Sequence, residues 1–167
     1  MIQYIQENGV SSEDDYQYFG KREKWCTNGG TELGKVFVQR VVRIPRNETL
    51  MMHYLAEVGP MTAEVPIIEP LRHYKEGVFH PSEALCAEAP SRTQTMTVVG
   101  YGTQNSKNYW ILKNSWGETW GMNGYIYYER GVESCGIEEG DLFGVEVRKV
   151  PGVEAANKRS DCHDHCN

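Results

Sequence analysis

The spacing of apolar positions changes character along the chain, from helical intervals in the first part to near-alternation after Met96. Met1 to Asn8 reads as the closing turns of an amphipathic helix, and Gly9 stands where a left-handed C-cap is favoured. Ser11 to Tyr18 is polar with an acidic run, Glu13-Asp14-Asp15, which predicts a solvated turn. Within Thr27 to Gly34, Asn28-Gly29-Gly30 signals another turn. Lys35 to Ile44 is rich in Val and predicts a strand stopped by Pro45. Asn47 is placed to cap a helix from Glu48 to about Val58, with Leu50, Met51, Tyr54, Leu55 and Val58 at helical spacing. Gly59-Pro60 ends it. Thr62 to Ile68 predicts a strand and Pro70 to Tyr74 a single helical turn. Beyond that the pattern predicts strands over Met96 to Tyr101, Tyr109 to Lys113, Tyr125 to Glu129 and Phe143 to Val147. There is no internal repeat, and the polar tail from Gly152 is expected to be loose. A few helices followed by antiparallel-looking strands make an α+β pattern.

Composition narrows the function classes. The 167 residues are 40 % hydrophobic and 24 % charged, an ordinary balance that allows a packed core. The formal net charge of −6 argues against nucleic-acid binding and against anionic membranes, because both need a basic surface. No apolar run reaches the ~18 residues needed to span a bilayer. Met1 to Gly9 lacks the basic end and apolar stretch of a secretion leader. Five cysteines are present, Cys26, Cys86, Cys135, Cys162 and Cys166, so at least one is unpaired within the chain if the others bond. Asn47-Glu48-Thr49 is a glycosylation triplet, a weak signal by itself and meaningful only in a secreted protein. Cysteines and triplet suggest secretory ancestry, while the lack of a leader offers no route.

The most specific string is Tyr109-Trp110-Ile111-Leu112-Lys113-Asn114-Ser115-Trp116-Gly117, followed by Trp120-Gly121 and Asn123-Gly124-Tyr125-Ile126. Tryptophans beside glycines between two strands can be no more than an aromatic corner. This string has company, however: Val99-Gly100-Tyr101-Gly102 before it, Gly59-Pro60 with Tyr74-Lys75-Glu76-Gly77-Val78-Phe79, Cys135-Gly136-Ile137, and Tyr4-Ile5 through Gly9 with Glu13 to Tyr16 and Tyr18. Taken in chain order these segments resemble the C-terminal part of the papain-like cysteine peptidases, of the cathepsin type. The likeness covers roughly Met1 to Val147. It implies a two-lobed α+β fold with a cleft between the lobes, of which this chain supplies the antiparallel, barrel-like sheet lobe and only the end of the helical lobe. Residues 1–150 are read as that portion of a peptidase domain and 151–167 as a polar tail. The resemblance also implies peptide or protein substrates, no cofactor, and a lysosomal or secreted family.

Such a peptidase needs a thiolate, an imidazole that takes and returns a proton, a side chain that orients the imidazole, and oxyanion donors. The family's nucleophile lies in a Cys-Gly-Ser-Cys-Trp-type segment, with an oxyanion glutamine before it, and neither segment is in this sequence. In Trp25-Cys26 the order is reversed and no helix start follows. Cys26 resembles instead a structural half-cystine whose family partner lies in the first half. The family histidine stands six residues before the glycine matched by Gly100, and here that position is Gln94. A carboxamide neither accepts a proton at useful pH nor becomes a cation, so Gln94 can neither deprotonate a thiol nor pair with a thiolate. Asn114 matches the orienting asparagine and is expected to bond the Gln94 amide. Trp116 matches the tryptophan that shields that bond, and Trp120 the one lining the far side of the cleft.

The resemblance implies a disulfide between Cys86 and Cys135. The tail Cys162-His163-Asp164-His165-Cys166 has metal-ligating residue types. Ligands packed so closely do not readily close a tetrahedron, so a terminal disulfide or a loose end is expected rather than a metal site. The sequence leads to a member of the peptidase family that does not turn over, either an incomplete product or a homologue retaining its cleft for peptide or protein binding. Nothing supplies the nucleophile–base pair of an active hydrolase. Without the first half, an apolar face is expected to lie bare and to favour association.

Overall fold

The computed structural model describes residues 2–21, 35–87, 92–132, 135, 137 and 142–149. The elements in chain order are α1 (Ile2–Asn8), β1 (Val36–Ile44), α2 (Glu48–Glu57), β2 (Met61–Pro66), α3 (Glu69–Arg72), β3 (Val78–Phe79), α4 (Glu83–Ala87), β4 (Thr93–Gln104), β5 (Lys107–Lys113), β6 (Tyr125–Glu129) and β7 (Leu142–Lys149). The strands form a seven-stranded sheet in the order β1-β7-β2-β4-β5-β6-β3. The chain divides into two compact units, 1–40 with 146–167 and 41–145, with the boundaries falling inside β1 and β7.

In the first unit α1 forms where the sequence predicts a helix, and it buries no side chain. Its C-cap is as the sequence predicts: Gly9 has φ +68° and its N–H donates to the Ile5 carbonyl at 3.0 Å. A side chain at Gly9 would press on Lys35 and on the Phe37 ring. The Val10–Val36 bridge then carries the chain against β1, and the Lys35 ammonium donates to the Asn8 carbonyl at 3.2 Å. Arg148 lies over the Phe37 ring, 4.7 Å from its centroid.

The second unit holds the larger core. Asn47, in extended conformation, accepts the Leu50 N–H at 3.0 Å and starts α2 as its N-cap. Of the expected apolar face of α2, Met51 is fully buried and Tyr54 and Leu55 pack on the core. Leu50 and Val58 are exposed, because the sheet contacts a narrower stripe than the spacing suggested. Strand alternation is clean in β2, where Met61, Ala63 and Val65 point inward opposite Met96 and Val98 of β4. The β4–β5 hairpin closes through Asn105 and Ser106, both at positive φ, the arrangement of a two-residue turn matched to strand twist. An irregularity between Val98 and Gly100 shifts the register with β5. Trp110, Leu112, Ile126 and Tyr128 complete the interior from β5 and β6.

Differences from the sequence reading are local. β4 and β7 are longer at both ends than the apolar alternation indicated. The two-residue strand β3 and the short helix α4 carry too little periodicity to be read. β3 pairs in parallel with β6, an exception to the antiparallel pattern. The turn over Thr27 to Gly34 and the tail lie outside the described residues.

Candidate functional site

The end of β5 and the start of β4 bring the site residues together, all within the second unit. Thr97 of β4 sits opposite Lys113 of β5, so Gln94 near the start of β4 runs past Asn114 and Ser115 as β5 ends. Gln94 also faces Val65 of β2, whose side chain is fully buried. Asn114 is held by its backbone, its N–H donating to the Gly124 carbonyl at 2.9 Å. It is 9 % exposed.

The expected Gln94–Asn114 pairing is not formed. The Gln94 amide nitrogen donates to the Ser115 hydroxyl at 3.3 Å and to the Thr95 carbonyl at 3.2 Å. The Asn114 side-chain oxygen accepts the Ser115 N–H at 2.8 Å, while its amide nitrogen is buried with no hydrogen-bond partner. The reason is local: an asparagine oxygen that reaches the next residue's N–H closes a short loop at the strand end, in competition with the longer reach across to β4. Ser115 is the residue the sequence reading missed. It stood in the quoted string without a role, and its adjacency to Asn114 was the only signal for one.

Beneath these groups lies an aromatic stack. Trp116 meets Trp120 edge-to-face at 5.2 Å, and Trp120 meets Tyr74 at 5.8 Å. Trp120 is 8 % exposed and donates its indole N–H to the Leu71 carbonyl at 3.2 Å, so it packs in the core under the half-buried Trp116. Tyr74 donates its hydroxyl to the Gly77 carbonyl at 2.6 Å and accepts the Tyr127 N–H at 3.3 Å. Burial raises the Tyr74 phenol above its ordinary range, against a smaller lowering by the Tyr127 N–H. Gly121, at φ +58°, lets the chain turn tightly here, since a Cβ would run into the Tyr125 carbonyl and the Tyr74 ring.

None of the described histidines bonds to Gln94, Asn114 or Ser115. His73 pairs with Glu69 at 2.9 Å, His80 pairs with Glu129 at 3.0 Å, and His53 lies exposed on α2. Cys86 and Cys135 are bonded to each other, Cα to Cα 5.0 Å, as the resemblance implied, so neither is a free thiol. Cys26 and the Cys162, His163, His165 and Cys166 tail lie outside the described residues. No cluster of three metal-ligating side chains occurs among the described residues. No helix among them is long and apolar enough to cross a membrane.

The family model described as "Papain family cysteine protease" matches residues 1–145. The chain belongs to the papain family of cysteine proteases. A "Cathepsin L-like proteinase" of Phaedon cochleariae is 34 % identical over 139 residues, covering 83 % of this chain and 41 % of that protein. "Pro-cathepsin H" of Mus musculus is 38 % identical over 139 residues, 81 % of this chain and 40 % of its own length. Among solved structures, that of the digestive procathepsin L 3 of the Tenebrio molitor larval midgut aligns with a TM-score of 0.73 at 28 % identity, over 87 % of this chain and 46 % of its own. The bromelain protease of Ananas comosus, in complex with the E64 inhibitor, aligns with a TM-score of 0.72 at 33 % identity, over 87 % and 66 %. The chain thus spans about two fifths of these curated relatives, corresponding to the C-terminal region of the papain fold.

Proposed function

We propose that this papain-family chain forms the sheet-lobe side of a peptide-binding cleft that does not hydrolyse its ligand. The observation that carries the reading is Gln94, an amide bonded to the Ser115 hydroxyl at the place where the family resemblance puts the imidazole. Proton transfer by a positioned base is worth ~10²–10⁴-fold in rate, and an amide supplies none of it. The imidazolium that would hold a cysteine as thiolate is lost with it.

Binding without turnover is favoured over a merely relaxed cleft by one feature. The Asn114 amide nitrogen is a buried donor with no partner, and such a donor is costly unless something accepts from it. A peptide carbonyl entering beside Ser115 would satisfy it. In this reading residues 1–150 belong to the peptidase domain, 151–167 are an appended tail, Cys26 is a structural half-cystine, and Trp116 forms the cleft wall above Trp120. The Cys86–Cys135 bridge is consistent with a lysosomal or secreted setting, since disulfides persist in oxidising compartments.

The test is hydrolysis of a fluorogenic peptide by the full-length protein under reducing conditions, with binding of a non-cleavable peptide followed in parallel. No thiol-dependent turnover is expected, together with saturable peptide binding that Asn114→Ala weakens. Turnover abolished by a thiol alkylator would overturn the inactivity, and absence of saturable binding would overturn the cleft's role.

A further inference from the structure

The triplet Asn47-Glu48-Thr49 has no part in the cleft, and it is the sole Asn-x-Ser/Thr triplet in the sequence. Its three side chains are sorted by the fold. Asn47 and Thr49 are both exposed, at the N-cap and in the first turn of α2. Glu48, between them, turns the other way and pairs with the buried guanidinium of Arg130. That guanidinium is held in turn by the faces of Tyr101 and Trp110, at 5.8 and 5.3 Å from the ring centroids. The acceptor amide and its hydroxyl partner are therefore presented outward while the intervening residue anchors the turn.

We infer that Asn47 is an N-glycosylation site, and that the fold separates its two amide atoms between two jobs. The side-chain oxygen caps α2 by accepting the Leu50 N–H at 3.0 Å. The amide nitrogen has no acceptor among the described residues and is the atom that carries the sugar. In the transfer, that nitrogen bonds to the anomeric carbon of a lipid-linked oligosaccharide. The carbon–oxygen bond to the lipid diphosphate breaks, the diphosphate leaves with the bonding electrons, and one nitrogen proton passes to base. The secondary amide that results keeps its carbonyl oxygen, so the cap survives modification. Transfer precedes completion of α2, because the acceptor triplet must be extended in the transferase and residues 48 and 49 are helical once folded. The Cys86–Cys135 disulfide belongs to the same oxidising compartment in which the sugar is added.

The experiment expresses the full-length protein behind a cleavable secretion leader in eukaryotic cells, and compares it with Thr49→Ala and Asn47→Asp. A carboxylate at 47 still accepts the Leu50 N–H, so Asn47→Asp separates loss of the sugar from loss of the cap. The secreted wild type is expected to collapse by one discrete step on treatment with a peptide N-glycosidase, to the mobility of both variants. Treatment in heavy-oxygen water is expected to convert residue 47 to labelled Asp, and no other asparagine. Asn47→Asp is expected to melt at the same temperature as the enzymatically deglycosylated wild type, which carries the same residue. Secretion of an unmodified wild type, or persistence of the step in either variant, would refute the assignment.

Discussion

In the proposed reading, single side chains at the strand ends decide what the cleft can do. Gln94 and a histidine are similar in reach, but only the ring changes charge near neutral pH. The Asn114 side-chain oxygen accepts the Ser115 N–H and does not bond across to Gln94 of β4. Tyr74 shows the same dependence on one polar group. Its hydroxyl bridges the Gly77 carbonyl and the Tyr127 N–H beneath Trp120. Tyr74→Phe keeps the ring packing but strands both partners, and is expected to cost about 1–3 kcal/mol. Chemical denaturation of the variant against wild type measures it; an unchanged midpoint would show that water replaces the hydroxyl. The sequence pointed to Tyr74 as the end of an expected helical turn and as part of a resembling string. Its role depends on Leu71, Trp120 and Tyr127 meeting around it, which no local pattern encodes.

At the scale of elements, helix α2 and strand β7 fit through one missing side chain. Gly144 is buried in β7 facing the ring and hydroxyl of Tyr54, and a Cβ there would collide with both. Gly144→Ala is expected to destabilise the unit by about 1–3 kcal/mol through overpacking. Combining it with Tyr54→Ala relieves the collision, so the double variant should lose less than the sum of the singles. Simple additivity in a double-mutant cycle would rule this contact out as the cause. These elements differed in how legible they were. β2 and β5 announced themselves because one face of each is buried and the other is not. β3 and α4 did not, since two and five residues are too few to show a period. α1 was legible as a helix from its length and its glycine cap, but not as an exposed one. Burial depends on what lies beside a helix, and sequence periodicity records only which face is apolar.

Across the 41–145 unit, stability is concentrated in an apolar interior that contains two phenols. Burial raises Tyr128 far above the ordinary tyrosine range, and Tyr74 is raised as well. The sign follows from linkage: the unfolded chain gives up these protons near pH ~10, whereas the folded chain holds them to higher pH. Their contribution is present below that pH and is lost as pH rises through it. The unit is therefore expected to unfold in alkali, and Tyr128→Phe to lose less stability than wild type between neutral and alkaline pH. Denaturant midpoints at the two pH values compare them. An identical alkaline loss in the variant would remove Tyr128 as a contributor.

The sequence by itself determined the succession of the main strands along the chain, that residue 94 is an amide and not an imidazole, and, through its resemblance, the family and the disulfide pairing. Each of these is written in residue identity at fixed spacing, and chemistry at one position does not depend on the rest of the fold. Tertiary structure decided which atoms the Gln94 and Asn114 amides bond, that Trp120 lies beneath Trp116 in the core, and that Asn47 and Thr49 face outward while Glu48 turns in to Arg130. Those outcomes rest on distances between groups far apart in the chain. Hydrogen bonds and ring contacts exist only over a few ångströms, and folding alone brings such groups that close.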